Sequence, residues 1–254
     1  MFFCVPYAYT PAGLFGVGHL LLLFATLLLL SLGLFLSRRM AQATVRRVLR
    51  AGVLLLWVLE IGKILFVLLR VGSRNPNDFV PLYYCSLILY AGLFSSFGKG
   101  KWQLAGDAFV ATASLVGGAV FLIFPTSTLL QYPAWHLLSL HSFLLHGLMV
   151  YLGVLLLMRG VYRPVWQDIV YPACFVTLTS VLALACNAVW DAKSGTRVTN
   201  LMFLSKNTPG TPLELLWQIT GELYTPLMWL GQALLPFWLV YIPYVLIQKR
   251  RSRK

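Results

Sequence analysis

Apolar residues run along this chain in stretches far longer than a soluble core element needs, and Leu20 to Leu36 is the plainest example. A helix crosses a hydrocarbon core with about 20 such residues. Runs of that kind, broken by short segments rich in Gly, Pro, Lys or Arg, predict spans near 14–36, 48–69, 81–98, 104–124, 135–158, 165–190 and 222–247. The fold class that follows is all-α: a polytopic membrane protein built as a bundle of seven transmembrane helices, with residues 1–254 forming one transmembrane domain. The uncharged opening "MFFCVPYAYTPAG" has no basic segment before the first apolar run, which is read as a span and not as a removable signal.

Charge then orients the bundle. Of 254 residues only 11% are charged and 59% are hydrophobic, yet the formal net charge is +13. The basic residues cluster between spans, which marks topology and excludes a nucleic-acid surface. One side holds fourteen of them: Arg38, Arg39, Arg46, Arg47, Arg50, Lys99, Lys101, Arg159, Arg163, Lys249, Arg250, Arg251, Arg253 and Lys254. The opposite side holds five, Arg70, Arg74, Lys193, Arg197 and Lys206, and Lys63 lies within a span. The expectation is an amino terminus outside and a carboxyl terminus in the cytoplasm.

Two segments between spans are irregular. "GSRNPNDFVP" is turn-rich, and "DAKSGTRVTNLMFLSKNTPGTP" carries an apolar centre, "LMFL", too short to span and placed to dip back toward the bundle. The cysteines Cys4, Cys85, Cys174 and Cys186 have no C-x-x-C spacing, so neither a zinc knuckle nor a disulfide framework is predicted.

Polar groups at bilayer depth should face the bundle interior and find partners. Glu60 and Lys63, three residues apart, share one helical face and read either as a self-neutralising pair or as a carboxylate that serves a base. Asp107 and Glu222 sit where spans begin and read as helix-start charges. The stretch "WHLLSLHSFLLHG" carries His136, His141 and His146 at a spacing of five, so consecutive rings point about 140° apart and cannot share one metal ion. His136 reads as interfacial, whereas His141 and His146 read either as hydrogen-bonded core histidines or as bases. In "VPLYYCSLILY" the proline is expected to start a helix with Cys85 in its first turns, either as a small buried hydrophobe or as a thiol whose reactive form the helix dipole favours.

The ordered set "PLYYCSL", "HSFLLHGLMVY" and "CNAVWDAKSGTRVTNLMFLSKNTPGTPLELL" resembles the YwaF-like integral membrane proteins, over roughly residues 56–230. Eukaryotic relatives of that family include a transmembrane lysophospholipid acyltransferase of ether lipids. The resemblance implies Cys85 as nucleophile and His146, followed by Gly147, as base; Asn187 and Asn200 fall on the family's asparagine positions. The chain departs from the family at Tyr83, at Asn200-Leu201 and at "GELYTP". On straight, upright helices Cys85 stands about 10 Å in depth from His146 and about 3 Å from His141. Motif therefore favours His146 and depth favours His141.

The resulting expectation is a membrane lipid acyltransferase that moves a fatty acyl group to a lysophospholipid. Its catalytic candidates are Cys85, His146 and His141, and its substrate-binding candidates are Tyr83, Tyr84, Asn187, Asn200 and Glu60. The reading implies no metal and no cofactor, and makes membrane phospholipids the partners. A non-catalytic helical subunit that meets other membrane proteins, or a transporter with Glu60, Lys63 and His146 along its path, are the alternatives.

Overall fold

The structure is a computed structural model and describes residues 2–3, 6, 8–195 and 198–252, so Cys4, Arg197, Arg253 and Lys254 lie outside the described residues. Among the described residues every regular element is helical, and seven helical stretches are long and apolar enough to cross a membrane. These are α1 (Val17–Ser37), α2 (Gln42–Phe66), α3 with α4 (Pro76–Phe79, Leu87–Phe97), α5 with α6 (Lys101–Phe109, Leu115–Ile123), α8 (Leu137–Met158), α9 (Val170–Ser194) and α10 with α11 (Pro212–Thr220, Tyr224–Arg251). A short α7 (Thr126–Leu129) links the fourth span to the fifth. With so many exposed Leu, Val, Ile and Phe side chains on α1, α2 and α11, the protein is an integral, multi-pass membrane protein.

Helix α8 occupies the middle, packing against α1, α2 and α6, while α9 and α11 pair on the other side of the α5–α6 span. That span is the most enclosed of the seven, and α1 is the least. A wide turn at Val110–Ser114 joins α5 to α6, and the Thr112 hydroxyl there bonds the Ala108 carbonyl at 2.5 Å. Wide turns of this kind carry one residue more per turn and shift the face presented beyond them.

The second span begins at Gln42, six residues before the apolar run at 48. Near that start Arg46 and Arg50 are helical with side chains that have partners inside the fold. Arg46 grips Asp107 through two bonds of 2.6 and 2.5 Å, Ser95 donates to the same carboxylate, and Arg50 donates to the Ser96 carbonyl at 2.9 Å. Asp107 is therefore no helix-start charge: α5 opens six residues earlier, and this carboxylate clamps α2, α4 and α5 together at the end of the bundle carrying Arg38 and Arg39, here the basic end. At the same end, Tyr162 donates to Asp168 at 2.9 Å, and burial, helped by that carboxylate, pushes the phenol well above its ordinary range.

The segment "LMFL" does dip into the bundle. Leu201, Met202 and Leu204 are fully buried, and Met202 and Phe203 turn through left-handed backbone, at φ 57° and 56°. Such backbone inside an apolar bundle needs a partner for each peptide group. Asn187 accepts from Leu201 N at 2.9 Å and reaches the Leu201 carbonyl at 3.4 Å, while Gln232 donates to the Met202 carbonyl at 2.9 Å. Tyr224 donates to the Phe203 carbonyl at 2.9 Å and Thr225 to the Leu204 carbonyl at 2.6 Å. Four consecutive carbonyls thus each have a side-chain donor from α9 or α11.

Candidate functional site

Cys85 does not sit within the first turns of a helix that opens at Pro81. The chain makes the single turn α3, runs extended through Val80 and Tyr83, tightens into a 3-10 turn at Tyr84–Ser86, and only then enters α4. This broken entry carries Cys85 deeper into the bundle than a helix begun at the surface would. Twelve residues separate Cys85 from the basic end of α4 at Phe97, and twelve separate His146 from the basic end of α8 at Met158. Both therefore stand about 18 Å above that end, whereas His141 stands about 25 Å above it.

Contacts on α6 agree with that height. Gly117 and Gly118 are adjacent. A Cβ on Gly117 would lie 3.8 Å from the Cys85 Sγ and 3.0 Å from the Tyr84 ring, and a Cβ on Gly118 would lie 2.9 Å from the His146 carbonyl oxygen. Two missing side chains let α6 lie close against the Cys85 turn on one side and α8 on the other. The Cys85 thiol faces the Gly117 carbonyl at 3.9 Å, a long and weak hydrogen-bond contact.

The imidazole of His146 is buried and stacked face to face on Phe121, with ring centroids 3.6 Å apart and planes 9° apart. Its Nδ1 lies 2.6 Å from the Ser142 carbonyl. A carbonyl only accepts, so Nδ1 carries the proton, and in the neutral ring Nε2 keeps a bare lone pair. That Nε2 is buried and has no hydrogen-bond partner, as is true of the Ser114 hydroxyl on the wide turn leading into α6. His19 shows the satisfied alternative: its Nδ1 accepts from Phe15 N and its Nε2 donates to the Leu122 carbonyl, both at 3.0 Å.

The chain matches the TMEM164 family model over residues 14–244, nearly its whole length. It belongs to the TMEM164 family. No curated protein matches it, and no solved structure does. TMEM164 membership agrees with the seven apolar helices in making this a multi-pass transmembrane chain.

Within this TMEM164 chain the remaining candidates fall into two groups. Tyr83 and Tyr84 stay beside Cys85: Tyr83 stacks obliquely on Phe203 with centroids 5.0 Å apart, and the Tyr84 hydroxyl points at the Gln232 carbonyl, 3.4 Å away. They tie the Cys85 turn to the buried "LMFL" segment and to α11. Asn187 and Asn200 are engaged in that segment, Asn187 as described and Asn200 through bonds to Ser205 and Lys206. Glu60 pairs with Lys63 at 2.6 Å, and His141 faces the groove beside that pair, one face of α8 away from His146. No hydrogen bond joins the thiol to either ring, since neither nitrogen of His141 nor Nε2 of His146 has a partner.

A groove of about 390 Å³ runs between α1 and α8, lined by Leu22, Thr26, Leu29, Gly33, Phe143, Gly147 and Tyr151 among others. Its walls are almost wholly apolar, and Gly147, the residue after His146, forms part of them. The residues that sequence reasoning passed over are Gly117, Gly118 and Phe121. A Gly-Gly pair inside an apolar span was the available signal, because glycine there costs helix stability unless something must come close.

Proposed function

We propose that this protein is a membrane lipid acyltransferase in which Cys85 is the nucleophile and His146 the general base, as the resemblance to the YwaF-like family and its acyltransferase relatives implies. The observation that supports the reading is the pair of adjacent glycines, which let α6 lie close against the Cys85 turn and against the backbone of His146, two residues that each stand twelve positions from the basic ends of their helices. Depth now favours His146, the histidine the motif also favours.

In the first half-reaction His146 Nε2 accepts the thiol proton, and the thiolate attacks the ester carbonyl of a donor phospholipid. The carbon–oxygen bond breaks, the leaving lysophospholipid oxygen takes the proton back from His146, and the acyl group remains on Cys85 as a thioester. In the second, His146 accepts the proton of an acceptor lysophospholipid hydroxyl, whose oxygen attacks the thioester; the carbon–sulfur bond breaks and the leaving Cys85 thiolate takes the proton back from His146. Tyr83, Tyr84 and Ser86, whose hydroxyls flank Cys85 in the sequence, are the candidates to receive the oxyanion of each tetrahedral intermediate. The apolar groove between α1 and α8 has Gly147, the residue after His146, in its wall and is the space proposed for the acyl chain.

The test is transfer of a labelled acyl chain from phosphatidylcholine to a lysophospholipid by the purified protein in nanodiscs. Cys85→Ala and His146→Gln are expected to lose at least about 100-fold, and His141→Gln to stay within about threefold. Full transfer by Cys85→Ala would sink the proposal.

A further inference from the structure

A second groove lies on another face of α8, between it and α2. It holds about 330 Å³, at the low end of the range for small-molecule sites, and is lined by Val58, Leu59, Gly62, Lys63, His141 and Leu144 among others. Neither Cys85 nor His146 borders it. The polar groups at its wall are incompletely used. Lys63 Nζ donates to Glu60 at 2.6 Å, with the Glu60 side chain 2% exposed and that of Lys63 21% exposed, so the carboxylate lies beneath an ammonium that keeps two further donors. Across the groove both ring nitrogens of His141 are buried without a hydrogen-bond partner, although the Leu59 carbonyl runs alongside. Buried polar atoms left in that state ordinarily have a ligand or water to complete them.

The rest of the wall decides which ligand. Val58 and Leu144 are exposed, and a Cβ on Gly62 would meet nothing within 4 Å, so the groove opens to the lipid-facing surface with apolar sides. The second span runs on beyond Phe66 through a wide turn at Val67–Val71, so Lys63 lies eight residues, about 10–12 Å, inside its end, and His141 lies four residues, about 6 Å, inside the start of α8 at Leu137. The long side chain of Lys63 lets its ammonium reach toward the level at which lipid head groups give way to chains. A ligand placed there needs oxygen acceptors for the ammonium and for one imidazole N–H, and a hydrocarbon tail against Val58, Leu59 and Leu144.

We propose that the α2–α8 groove is a binding site for the oxyanion head of a single-chain amphiphile, a carboxylate or a phosphate monoester, held by Lys63 and His141. Glu60 positions Lys63. This is a second lipid site that does not rest on the acyl-transfer reading, since a chain without transfer activity would still bind there.

The full-length protein, purified in detergent, is mixed in turn with palmitate, 1-palmitoyl lysophosphatidate and hexadecanol, and occupancy is read by native mass spectrometry. Retention of palmitate alone identifies a carboxylate site, retention of lysophosphatidate alone a phosphate site, and retention of both a general oxyanion site. Hexadecanol, which has the chain and no oxyanion, is expected to bind at least about tenfold less, the equivalent of one charge-assisted hydrogen bond. Val58→Trp fills the mouth from the lipid side without touching the ion pair or the α1–α8 groove, and the paired change Glu60→Gln with Lys63→Gln removes both charges together. Each is expected to lower anion occupancy by about tenfold at an unchanged melting temperature. Hexadecanol bound as well as the anions, no probe retained by the unaltered protein, or occupancy unchanged in Val58→Trp would overturn the proposal.

Discussion

The buried "LMFL" segment and the Cys85–His146 level are two places where this bundle departs from plain apolar helix, and they treat several of their polar atoms in opposite ways. Along Leu201–Leu204 each carbonyl has its own donor, from Asn187, Gln232, Tyr224 or Thr225. At the level of Cys85 and His146 the thiol makes one long contact, and Nε2 of His146 and the hydroxyl of Ser114 make none. Both regions are buried, so burial does not distinguish them. What differs is that every carbonyl of the segment has a side-chain donor, whereas the ring nitrogen and the hydroxyl at the other level have no partner. A segment whose carbonyls are all bonded is chiefly loosened by change, whereas a level with an open lone pair beside a thiol that makes one long contact has chemistry left to do.

That contrast can be broken or sharpened by substitution. The largest stability effect is expected at the basic-end clamp, which is completed like the "LMFL" segment: Arg46→Met leaves the Asp107 carboxylate buried without its bidentate partner and should cost about 3–5 kcal/mol of unfolding free energy. Denaturant titration in mixed micelles reads it, and a loss below 1 kcal/mol would show that the carboxylate finds water instead. Next comes Asn187→Leu, which strips both peptide groups of Leu201 at once and should cost about 2–4 kcal/mol by the same measurement. Unchanged stability there would put the segment in the unsatisfied class. The smallest stability effect, under about 1 kcal/mol, is expected for Gly117→Ala, since the atom it meets is the Tyr84 ring edge, 3.0 Å away, and a ring can shift. Transfer activity should nonetheless fall about tenfold, because the added methyl wedges α6 from the Cys85 turn. A rate equal to that of the unaltered protein would remove the glycine pair from the site.

The seven spans were legible in the sequence because a run of about 20 apolar residues is a one-dimensional signal. Their ends were less so. Arg46 and Arg50 look like loop residues by charge, and only partners 46 to 61 positions away explain why they are helical. The dip of "LMFL" was readable from its length and hydrophobicity, but the four donors that hold it come from two helices, at no fixed spacing. Cys85 and His146 were singled out by motif. Their common height was hidden, because it depends on the broken entry of the third span, where turn, extended chain and 3-10 turn replace the helix that Pro81 suggested. Gly117 and Gly118 were visible as a pair, and what each faces was not.

Whether Cys85 forms a covalent intermediate is the point on which the account turns. The purified protein, incubated with a donor phospholipid and no acceptor, is analysed by intact-protein mass spectrometry and then by peptide mapping. The account predicts one added acyl group, on the peptide containing Cys85, released by neutral hydroxylamine, discharged by added lysophospholipid and absent from Cys85→Ala. Transfer that proceeds at full rate with no acyl group ever resident on Cys85 would contradict it.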